Sequence, residues 1–100
     1  MDLSLDEAGA IADLGMRVRA CAVGQAAAAI FARHAVGRTA ADIVAANDAL
    51  ERWLANGAPL PDWPDIELIE AAGAYPGRHG AIMLPWKAAI AALSSAHFAS

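Results

Sequence analysis

Apolar and polar positions along the chain follow two different periods, and the change falls near Cys21. Before it, Leu3 and Leu5 alternate with Asp2, Ser4 and Asp6, the two-residue period of a strand. Asp6-Glu7-Ala8-Gly9 supplies turn chemistry, with Gly9 free to take positive φ. Ala10–Leu14 and then Met16, Val18 and Ala20 resume the alternation. The pattern predicts a hairpin whose second strand is bulged at Gly15. Two strands alone are marginal in water, so helices or further strands must cover the apolar face.

After Cys21 the period is helical. Val23, Ala26, Ala27, Ile30, Phe31 and His34 share one side, with Arg33 and His34 in the last turn and Gly37 as the stop. Thr39-Ala40-Ala41-Asp42 is close to a capping box and opens a second helix. Ile43, Ala46, Asn47, Leu50, Trp53 and Leu54 form its buried stripe, and Asn56-Gly57 ends it. Three prolines between Ala58 and Pro64 predict an ordered loop pinned by Trp63. A short helix over Asp65–Ala72 is expected to stop at Gly73, followed by a turn at Tyr75-Pro76-Gly77-Arg78. The last helix is expected over Ala81–Leu93, with Ile82, Trp86, Ala89, Ile90 and Leu93 in phase. Pro85 should lie in its first turn, where a missing N–H costs little, and Pro85 and Trp86 should pack the helix on the sheet. Residues 1–93 then form one domain and 94–100 a tail.

Composition narrows the function classes. The chain has 100 residues, 58% of them hydrophobic, but 28 are alanines, so the core rests on a modest set of larger side chains. A net charge of −4 with seven basic residues leaves no polybasic stripe for nucleic acid. No uncharged stretch reaches the roughly 18–20 residues of a membrane span, and the acidic N-terminus is unlike a secretory signal. These features point to a cytoplasmic protein. No common catalytic motif is present, and Asp13, Asp42, Asp62, Asp65, Glu67 and Glu70 sit where caps, loops or solvated faces account for them.

Cys21 is the only thiol. At a strand-to-helix junction, a helix's positive end favours the thiolate, and Arg17 and Arg19 could add positive potential. A small apolar residue filling the junction is the competing account. A thiol nucleophile served by His34 or His79 is a third, and it needs a histidine beside the sulfur.

Two segments carry a family resemblance. Arg19-Ala20-Cys21-Ala22-Val23-Gly24-Gln25, leading to Gly37-Arg38-Thr39, resembles the region around the second cysteine of the NifU-like (IscU/SufU-type) iron–sulfur cluster assembly scaffolds. Tyr75-Pro76-Gly77-Arg78-His79-Gly80-Ala81-Ile82-Met83-Leu84-Pro85-Trp86 is similar to that family's aromatic-Pro-x-Arg, x-x-Cys, x-x-Leu-Pro-Trp stretch, without a gap. The resemblance runs to Leu93 and implies an α+β fold: an antiparallel hairpin or small sheet packed against four helices on one face.

It also implies scaffold work rather than enzymatic turnover. A cysteine desulfurase would deliver sulfur, an acceptor apo-protein would take the cluster, and a homo-oligomer could complete the site. The family holds zinc or a nascent iron–sulfur cluster with three cysteines and an aspartate. By the resemblance Cys21 is the second of these, Ala81 stands at the third, and the first belongs to a segment before the hairpin. The chain then corresponds to a shortened or degenerate form, or Met1 is an internal start. His79, two residues before Ala81, is the candidate replacement ligand beside Cys21, and Arg78 matches the family pattern.

Overall fold

The computed structural model describes residues 2–15 and 22–99. Strands β1 (Asp2–Leu5) and β2 (Ile11–Gly15) pair antiparallel as a hairpin. At the turn the Asp6 carboxylate accepts from the Ala8 N–H (2.9 Å) and the Ala10 N–H (3.0 Å), and Gly9 takes φ 81°. That is the expected Asx-type reversal. The bulge, however, is at Ala12. Ser4 faces Asp13 and Leu5 faces Ile11, so Ala12 is the unpaired extra residue, while Gly15 pairs regularly with Asp2. The expectation of a bulge at Gly15 is thereby corrected. The shift lets Ile11, 1% exposed, point into the core.

Ile11 also ties the hairpin to the helices. Its N–H donates to the Arg38 carbonyl (2.8 Å) and its carbonyl accepts from the Gly37 N–H (2.7 Å). Helix α1 (Ala22–Ala35) buries Ala27, Ala28, Ile30, Phe31 and Ala35, and Gly37 (φ 91°) follows its end. Helix α2 (Ala40–Asn56) begins with the full capping box. Thr39 Oγ1 accepts from the Asp42 N–H (3.2 Å), and the Asp42 carboxylate accepts from the Thr39 N–H (3.0 Å). It ends at Gly57, in the left-handed region.

The loop from Gly57 to Asp65 crosses the helices and inserts Trp63, 3% exposed. Its indole lies 5.5 Å from the Phe31 ring, nearly parallel at 7°, and 5.4 Å from Trp86 at 80°. Trp86 meets Phe31 edge-on at 5.4 Å. Trp63 Nε1 donates to the Ile30 carbonyl (3.2 Å), which satisfies its one polar atom. The expected pinning role therefore holds. Trp86 thus joins the last helix edge-on to this cluster of α1 and the loop, and that helix also contacts β1.

A 3-10 helix then runs over Ile66–Ala74, burying Ile66 and Ile69. It passes through Gly73, so Gly73 is not its stop. The glycine is there for space: a Cβ would lie 2.6 Å from Trp53 Cζ2. A single 3-10 turn, Pro76–Arg78, leads directly into helix α3 (His79–Ala99). Helix α3 therefore starts two residues before the expected Ala81, and Pro85 is its seventh residue. Only the first four helix N–H groups lack intrahelical acceptors, so Pro85 removes a bond from the helix interior rather than from a free first turn. Helices α1 and α2 both pack on α3, and α3 and α1 also contact the hairpin.

Candidate functional site

Helix α1 begins at Ala22, immediately after Cys21 in sequence. Cys21 itself, with Arg17 and Arg19, lies outside the described residues. The second half of the expected site is described. Arg78 closes the 3-10 turn, His79 opens α3, and Ala81 lies in the first turn of α3, half-buried. His79 is half-buried, and its Nε2 lies 2.8 Å from the Gly73 carbonyl oxygen. A carbonyl only accepts, so Nε2 carries the proton and donates. Arg78 is exposed and makes no ion pair among the described residues.

His34 is engaged elsewhere. Its Nε2 lies 2.7 Å from Asp65 Oδ2, which also accepts from Arg33 Nη1 at 3.1 Å. The hydrogen bond from His34, then that from Arg33, hold the Asp65 carboxyl below its ordinary range. Asp65 sits at φ 69°, a left-handed conformation uncommon outside glycine, and this clasp fastens the turn to the end of α1. The neighbouring Arg38 donates from Nε to the His34 carbonyl (3.1 Å), and its guanidinium lies 4.6 Å from the centre of the Trp63 ring. Arg38 is thus a packing residue of the loop between α1 and α2. Asp42 is likewise spent on the capping box, where the Thr39 backbone N–H, first, keeps its carboxyl low. Both carboxylates are thus engaged in local structure, Asp65 in the clasp and Asp42 in the capping box.

Zinc or a cluster iron needs four donors of the thiolate, imidazole or carboxylate kind. His79 and Cys21 are donors of the right type. Their number falls short: among the described residues no group of three His, Cys, Asp or Glu side chains comes together.

These elements define a class: a small α+β domain, a hairpin backed by helices around a Phe–Trp–Trp cluster. Neither a family model nor a curated protein matches the chain. Among solved structures it matches the crystal structure of a nitrogen-fixing NifU-like protein (N-terminal) from Brucella abortus. The two are 32% identical with a TM-score of 0.85, over 92% of this chain and 65% of that one. The chain is similar in fold and sequence to this NifU-like protein, and it spans less than two thirds of that relative's length, 65%. Among the described residues no helix is long and apolar enough to cross a membrane.

Proposed function

We propose that this chain is an iron–sulfur cluster assembly scaffold-like protein of the cytoplasm, with Cys21 as its sulfur-accepting group. The observation that carries the reading is the 32% identity to a NifU-like protein across 92% of the chain. The Cys21 thiolate attacks the outer sulfur of a cysteine desulfurase persulfide. A new S–S bond forms at Cys21, the bond within the donor persulfide breaks, and the donor cysteine leaves as a thiolate. No oxidant is consumed, because the sulfane sulfur moves at constant oxidation state. An acceptor apo-protein is the downstream partner, and cluster or zinc ligands beyond Cys21 and His79 come from outside the described residues.

The test is persulfide labelling of wild type and Cys21→Ala after incubation with a desulfurase and cysteine. Label on the wild type and none on Cys21→Ala is expected. Equal labelling of the two would overturn the assignment.

A second reading, an interaction module of the same fold without metal chemistry, draws on Ala81 and on the absence of a three-donor group among the described residues. Metal analysis of protein purified without chelators separates the two. Stoichiometric zinc or iron lost on Cys21→Ala supports the scaffold, and a folded, metal-free protein supports the module.

A further inference from the structure

We propose that the cleft between α2 and the Asp62–Trp63 stretch of the preceding loop binds a small zwitterion, an α-amino acid with an apolar side chain. Its carboxylate pairs with Arg38 and its ammonium with Asp62. The site is separate from the one read above, since neither Arg78 nor His79 lines it.

The cleft holds about 230 Å³. Drug-sized ligands occupy pockets of about 300–1,000 Å³, so this one suits a molecule of amino-acid size. Ala45, Ala46 and Ala49 of α2 line one wall, and Trp63 lines the cleft beside Arg38. The alanine methyl groups leave open the room that longer side chains would fill, and they give an apolar surface to a ligand side chain.

Arg38 is held ready for a carboxylate. Its Nε donates to the His34 carbonyl at 3.1 Å, and its Cζ lies 4.6 Å from the centre of the buried Trp63 ring. These two contacts fix the half-buried guanidinium in place before any ligand arrives. Nη1 and Nη2 have no acceptor among the described residues. A seated guanidinium with its two Nη groups open is a fork matched to a carboxylate.

The charges around it select the ligand. Asp42 and Asp62 also line the cleft, and neither forms an ion pair with Arg38. Asp42 gives Oδ2 to the Thr39 N–H, whereas the Asp62 carboxylate has no hydrogen-bond partner among the described residues. Behind the Thr39 backbone and side chain, the Arg38 charge also helps to hold the Asp42 carboxyl below its ordinary range, so the two groups share one field. A simple anion on Arg38 would stand beside two carboxylates, and a simple cation would stand beside the guanidinium. A molecule carrying both charges meets an opposite partner at each end.

The experiment titrates the full 15N-labelled chain and follows the backbone amides of Ala45, Ala46 and Ala49 together with the Arg38 Nε–H. L-leucine carries both charges, N-acetyl-L-leucine only the carboxylate and L-leucinamide only the ammonium. L-leucine should give saturable shifts at these four groups, and each single-charge ligand should bind roughly tenfold more weakly. Arg38→Lys keeps the charge but loses the fork, and it should weaken L-leucine. Asp62→Asn, at an exposed position, should weaken L-leucine roughly tenfold and leave N-acetyl-L-leucine unchanged, and it serves if Arg38→Lys fails to fold. No saturable shift with L-leucine overturns the proposal. So does equal affinity for either single-charge ligand, or an L-leucine affinity unchanged in Asp62→Asn.

Discussion

Trp63 is the residue on which the core's integrity should depend most visibly, and two substitutions separate its contributions. Trp63→Ala removes an indole that stacks on Phe31, meets Trp86 edge-on, carries Arg38 on its face and donates to the Ile30 carbonyl. Truncating a buried Trp to Ala costs about 3–5 kcal/mol. Two aromatic pairs at about 0.5–1.5 kcal/mol each and a cation–π contact of about 0.5–2 kcal/mol place this site in the upper part of that range. Trp63→Phe keeps a ring on Phe31 but loses the N–H and part of the area, for about 1–2 kcal/mol. A domain of this size holds only about 5–15 kcal/mol in total. Trp63→Ala should therefore lower the urea midpoint steeply, and Trp63→Phe should lower the melting temperature by roughly 4–16 °C. Circular dichroism during urea and thermal unfolding provides both values. A loss below about 1.5 kcal/mol for Trp63→Ala, or equal losses for the two variants, would refute the packing argument.

Thr39→Ala should cost about 0.5–2 kcal/mol by opening the capping box, and urea unfolding of wild type and variant measures it. Gly73→Ala should cost about 1–3 kcal/mol through the clash with Trp53, and Trp53→Leu in the same chain should recover part of it relative to Trp53→Leu alone. Asp65, whose carboxyl lies below its ordinary 3.8, contributes stability that is present above pH 3.8 and lost as pH falls through its folded value. Asp65→Asn should therefore flatten the fall in melting temperature below pH 3.8 while leaving its position relative to wild type constant above it. An identical acid limb in the two proteins counts against the clasp.

Much of the architecture was legible in local pattern. The Asp6–Gly9 reversal, the Thr39 capping box, the Gly37 and Gly57 stops and the buried stripes of α1 and α2 each depend on residues within four positions of one another. Periodicity and capping report such short-range physics directly. The site was legible only in its residue types. The resemblance pointed to Cys21, and His79 was the nearby candidate ligand, but which ring atom of His79 is engaged depends on a carbonyl six residues away.

The misread positions share one cause. Gly73 looks like a helix stop because glycine commonly is one, yet its role is set by an indole twenty residues earlier. The Ala12 bulge places Ile11 in the core and against the Arg38 backbone, a contact across the fold. Asp65 holds a left-handed backbone beneath His34 and Arg33, more than thirty residues away in sequence. By itself the sequence determined the elements and their order, because turn, cap and period energies are local. Only the tertiary structure decided which glycine yields to an indole, which strand residue bulges and which carbonyl the His79 ring meets, because those depend on the space left by distant side chains.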